Sequence, residues 1–208
     1  KIIGIGMSFY TARNVDVTLN GNAIFAKDAS ISSNSVLAPV YRTDSSVTEQ
    51  WSVGQPVDTS LALSYFLTGV DPIKSNIFDE GTPISASFGG FYLNSGYLTS
   101  YSFSAEAYQA VEVSATIKFF EPLKGSFTPQ PSSLDVEKAL LFTDLRFSET
   151  GVINNQEVQA LGYSYSNEVN ASYSVQEIGE ESSVHNVSFG KKTIEMSITT
   201  NDLSTHLP

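Results

Sequence analysis

Only two imidazoles, His185 and His206, occur among the 208 residues, and there is no cysteine. A Ser-His-Asp centre needs one of those histidines beside a nucleophilic serine and an orienting carboxylate. His206 is the third residue from the end of the sequence, where chains fray. His185 follows Glu180-Glu181-Ser182-Ser183-Val184, a polar stretch without the glycine pattern of a nucleophile elbow. Paired carboxylates could serve glycoside hydrolysis. The densest acids are Asp79-Glu80 and the set Glu177, Glu180 and Glu181. Both groups sit in turn-like sequence, where acids form solvated faces. No calcium-loop spacing is present, and without cysteine no thiolate chemistry or Cys-ligated metal is possible. Gly4-Ile5-Gly6 and Gly89-Gly90 lack the helix and the Lys-Ser/Thr that a phosphate loop requires. The sequons Asn170-Ala171-Ser172 and Asn186-Val187-Ser188 are expected by chance in a chain with 31 serines. Trp51 suits a core or seam better than a sugar platform. The expectation is a non-enzyme with no catalytic residue, no cofactor and no metal.

The elements that would hold such side chains read as strands. Charged residues make up 16% of the chain, well under the usual quarter, and Ser, Thr and Tyr fill the gap. Such residues suit half-buried pleated surfaces better than helices. Apolar residues alternate at Val15-Val17-Leu19, Leu61-Leu63-Tyr65, Tyr97-Thr99-Tyr101-Phe103 and Val111-Val113-Ala115-Ile117-Phe119. The same period recurs at Leu161-Tyr163-Tyr165, Tyr173-Val175 and Ile194-Met196-Ile198, as half-buried strands require. Asn20-Gly21 predicts a tight hairpin turn. Asp71-Pro72 and Asp79-Glu80-Gly81-Thr82-Pro83 break the pattern. Lys124 to Ser133 carries two prolines and predicts a linker, and Leu134 to Leu141 a helical turn followed by strand.

An offset of 122 aligns Leu19 with Leu141, Phe25 with Phe147, Ile31 with Ile153, Val36 with Val158, Ala38 with Ala160 and Tyr41 with Tyr163. A second echo sets Tyr101 to Glu106 against Tyr163 to Glu168, and a third sets Ser60 to Phe66 against Ser114 to Phe120. These predict an all-β chain, an antiparallel β-sandwich with a duplicated β-unit and at most one or two short helices. Residues 1–7 are expected to be an N-terminal arm. Residues 8–208 are expected to form one domain, its halves 8–124 and 135–203 joined by the Pro/Ser-rich loop.

The 22 acidic and 11 basic side chains give a net charge of −11. That balance disfavours binding to phosphate backbones and anionic membranes. No stretch reaches the ~20 apolar residues of a membrane helix. Lys1 to Met7 lacks the full apolar region and cleavage site of a signal peptide. A soluble protein made in a reducing cytoplasm is expected.

Gly96-Tyr97-Leu98-Thr99-Ser100-Tyr101-Ser102-Phe103-Ser104-Ala105-Glu106, followed by Val111-Glu112-Val113-Ser114-Ala115, resembles structural proteins of tailed bacteriophages, above all the tail-tube type. The motif covers residues 96–125. The resemblance implies a virion protein of the phage tail, made in the host cytoplasm, whose subunits pair strands sideways into a ring, commonly hexameric. Rings would stack into a tube whose acidic lumen passes DNA without binding it, and neighbouring tail proteins would be further partners. Two other readings stand beside it. One is a carbohydrate- or receptor-binding β-sandwich of a phage fibre, with Tyr97, Tyr101, Tyr163 and Tyr165 as an exposed platform. The other is a capsid decoration or neck protein.

Overall fold

The computed structural model describes residues 4–12, 16–41, 48–53, 58–128, 130, 139–144, 158–172 and 186–200. Eleven strands are present among them: β1 (Gly4–Ala12), β2 (Val17–Leu19), β3 (Asn22–Tyr41), β4 (Thr48–Val53), β5 (Asp58–Phe66), β6 (Ile84–Phe88), β7 (Phe91–Glu106), β8 (Glu112–Phe119), β9 (Lys124–Gly125), β10 (Val158–Ser172) and β11 (Asn186–Thr200). The helices among the described residues are two single 3-10 turns, Lys74–Ile77 and Phe142–Asp144. The chain is all-β.

The predicted alternation becomes burial. Along β5 every second residue from Thr59 to Tyr65 is buried, and along β8 Val113, Ala115, Ile117 and Phe119 are buried. Asn20 and Gly21 turn β2 into β3 with φ of 50° and 75°, the left-handed pair that a two-residue hairpin demands.

All pairings are antiparallel and join the strands into one sheet. Strands β2, β3, β5, β8, β7 and β6 follow one another round a closed circuit, because β7 pairs with β6 on one margin and β8 on the other. The result is a six-stranded barrel with extra strands, where two stacked sheets were expected. Bulges between Ala26 and Asp28, Leu98 and Ser100, and Ile84 and Ala86 give the strands the local bend that closure needs. Closure also needs Gly96, which lies in register with both Ile84 and Phe119. A Cβ there would run into the Phe119 ring and the Ile117 methyl.

Two long strands outgrow the barrel. Beyond its β2 partner, β3 pairs with β1 on one margin, and with β4 beyond β5 on the other. Past its β6 partner, β7 takes β10 through Ser100–Glu106, and β10 carries β11. Residues Gly4–Met7, read from the sequence as part of an arm, lie in β1 opposite Leu37–Asn34. In the stretch expected as a linker, Lys124–Gly125 pair with β7, Thr128 N–H donates to Gly89 O, and Gln130 O accepts from Asp16 N–H.

The sequence echoes fall on neighbours in the sheet. Tyr101 to Glu106 lies in β7 and Tyr163 to Glu168 in β10, with Phe103 opposite Tyr163 and Tyr101 opposite Tyr165. Ser60 to Phe66 and Ser114 to Phe119 pair as β5 and β8. In the offset of 122, Leu19 is fully buried while Leu141 is about half exposed. Phe147 and Ile153 lie outside the described residues, as do residues 134–138 of the stretch Leu134–Leu141 expected as a helical turn and strand; its end, Leu141, makes an isolated bridge to Ala110.

Candidate functional site

The segment after β5 holds the most ordered polar chemistry. It turns Ile73 and Ile77 into the core. Asp71, 7% exposed, must then accept hydrogen bonds to offset its lost hydration. Its Oδ1 accepts from the Tyr65 hydroxyl at 2.9 Å and from the Ile73 N–H at 2.9 Å, and its Oδ2 from the Tyr101 hydroxyl at 2.7 Å. Burial, reinforced by the Asp71 charge, holds both phenols far above the ordinary tyrosine range. They stay neutral donors at any physiological pH, and the carboxylate has three donors already. Such a group fastens the segment to β5 and β7. It offers no poised acid or base.

Farther along, Lys192 of β11 meets Glu80 at 2.9 Å and lies 5.4 Å from the Tyr165 ring centroid. The Tyr163 and Tyr165 hydroxyls and the Asn167 amide are buried there without a well-formed hydrogen bond. Burial raises the Tyr165 phenol as well. Glu121, at the opposite end of the barrel, accepts from the N–H groups of Asn94 and Ser95 and pairs with Lys124. Partial burial opposes its ionisation, but those bonds outweigh it and its carboxyl sits below the usual range.

His185, His206, Glu177, Glu180 and Glu181 lie outside the described residues. Asp79 accepts from the Thr82 hydroxyl, and Glu80 is committed to Lys192. Gly4 and Gly6 are in β1, Gly89 and Gly90 make the β6–β7 turn, and Trp51 sits in β4 opposite Pro39. Asn170 and Asn186 occupy opposing strands at the far end of the β10–β11 ribbon. Among the described residues no three His, Cys, Asp or Glu side chains group as metal ligands, and no helix is long and apolar enough to cross a membrane. Of the four tyrosines of the suggested platform, Tyr101 and Tyr165 are buried, Tyr163 is half-buried, and Tyr97 packs edge-on against Phe189 at 5.6 Å.

What the described surface does offer is a sheet with two contrasting faces and several margins without a described partner. On one face the core rows run outward from the barrel through Tyr101, Phe103 and Ala105 to Tyr165, Tyr163 and Leu161. They end on Ile194, Met196 and Ile198. Those three are 48%, 64% and 40% exposed. On the other face small hydroxyls line up in register. Ser164, Ser102, Ser114 and Ser64 stand opposite one another across β10, β7, β8 and β5, with Glu195 of β11 and Asp28 of β3 closing the row. Among the described strands, β11 pairs only with β10, and β1 and β4 each pair only with β3, so each of the three has one margin without a described partner.

Neither protein-family models nor curated proteins match this chain.

The sequence carried the alternation of both faces but not the Asp71 cluster. Tyr65 and Tyr101 lie 6 and 30 residues from Asp71, and no local pattern ties an Asp-Pro break to a tyrosine in another strand.

Proposed function

We propose that this chain is a virion structural protein that assembles with copies of itself into a ring, most simply a hexamer, and that the rings stack into a tail tube conducting DNA. The observation that carries the reading is the set of margins without a partner among the described strands, of which β1, carried by β3, and β11, carried by β10, are the two longest. An open edge is a template for another strand. Two such edges, β1 of one copy and β11 of the next, would make a head-to-tail contact, which generates a ring when the rotation closes. Ile194, Met196 and Ile198 next to the β11 edge supply apolar area that a neighbour would bury, at roughly 25 cal/mol per Å². The buried or packed tyrosines speak against the sugar-binding alternative. The Asp71 carboxylate accepts three hydrogen bonds, as a structural tie requires.

Light scattering and electron microscopy of the intact chain test the reading. Rings or stacked tubes are expected. Replacing Met196 and Ile198 together by serine should leave the monomer folded and shift the population toward it.

A further inference from the structure

We infer that the hydroxyl face, floored by the in-register serines Ser164, Ser102, Ser114 and Ser64, is the wall that faces the DNA channel. This inference rests on the ring reading and adds which face of the sheet looks inward.

Three observations point the same way. The first is where the mass lies. The 67–83 segment, with Ile73 and Ile77 in the core and Asp71 fastened to Tyr65 and Tyr101, sits on the apolar side of the sheet. In a closed ring the outer circumference is the longer one, so the side that carries this segment turns outward and the hydroxyl face inward.

The second is shape. Residues of β3, β5, β8, β7 and β10, among them Asp28, Ser30, Ser64, Ser114, Ser102 and Ser164, line one open groove. A face that is hollow across five strands suits the inside of a ring. At roughly 4.8 Å per strand the row from Glu195 to Asp28 spans about 24 Å.

The third is charge. Serine ladders present no cation, and the row ends on a carboxylate at each side. The lysines on β3, β5, β8, β7 and β10 are Lys27 and Lys118, which pair with Glu112 and Asp58 at 3.1 Å each; β11 adds Lys191 and Lys192, the second of which pairs with Glu80. Phosphates are held by free Lys and Arg. The serine row itself is short hydroxyls without a cation, so a polyanion would pass along it with little to hold it.

The chain lacks cysteine, so single thiols can be placed without background. Ser102→Cys and Ser114→Cys are near-isosteric changes at exposed positions. Each variant is reacted, as monomer and as assembled ring, with a small maleimide and with a maleimide carried on a large globular protein. The small reagent should label both states. The large one should label the monomer but react at least tenfold more slowly with the ring. An unchanged rate with the large reagent would put this face outside, and loss of reaction with both reagents would put it inside a contact between copies. Either result overturns the assignment. Failure to form rings at all, seen by microscopy before any labelling, would instead remove the ring reading and the inference with it.

Discussion

The barrel and the β10–β11 ribbon are built from the same alternating sequence, yet the pattern meets different fates in them. In the barrel, Leu61 and Ile117 face each other across β5 and β8 and are completely buried. In the ribbon, Tyr163 and Met196 face each other in the same way, and Met196 is 64% exposed. Closure makes the difference. A strand inside the circuit has the opposite wall of the barrel to pack against. A strand beyond it has only its neighbours in the plane. Alternation therefore announces that a face will be apolar, but what covers that face is decided by topology.

The contrast can be broken at several depths. The largest effect is expected within the barrel. Ile117→Ala removes a fully buried side chain from a core too tightly closed to collapse, and should cost about 2–5 kcal/mol in denaturant melts. Asp71→Ala comes next. It strands two buried phenol donors, at roughly 1–3 kcal/mol for each unsatisfied group. Both phenols are held above their ordinary value of about 10. The stability they contribute is therefore fully present below that pH and is lost as pH rises beyond it. Tyr65→Phe should flatten this alkaline limb, which thermal melting against pH would read.

Gly96→Ala probes closure itself by forcing a Cβ against Phe119 and Ile117. A loss of about 1–3 kcal/mol is expected, the usual cost of overpacking. The smallest effect belongs to the ribbon. Ile198→Ser should change monomer stability by no more than about 0.5 kcal/mol while weakening association measurably by sedimentation. A large monomer effect would mean that the ribbon is already packed, and the contrast with the barrel would fail.

Much of this was legible from residue order. The strands around Leu61, Val113 and Leu161, the Asn20-Gly21 turn and the near absence of helix follow from period and turn chemistry. Closure did not, because a barrel and a sandwich use the same inward-outward alternation and differ only in which margins meet. Gly96, with partners on both sides, carries that information, but an isolated glycine in a strand-like run has several meanings. Tyr101–Glu106 and Tyr163–Glu168 lie on adjacent strands that share two faces, and spacing along the chain does not distinguish a likeness of that origin from duplication. The Asp71 cluster was hidden for a related reason: its partners converge only after the barrel has formed.

The most direct test of the account is whether the β1 margin of one copy lies beside the β11 margin of the next. Cysteines placed at Ser8 and Ser197, singly and together, in a chain with no other thiol, can be bridged with a short bis-maleimide and sized on a denaturing gel. The double variant should give a ladder of covalent oligomers ending at the ring size. Each single variant should remain essentially monomeric. A double variant that stays monomeric on the gel, while microscopy shows it assembled, would contradict the margin-to-margin contact at the centre of this account.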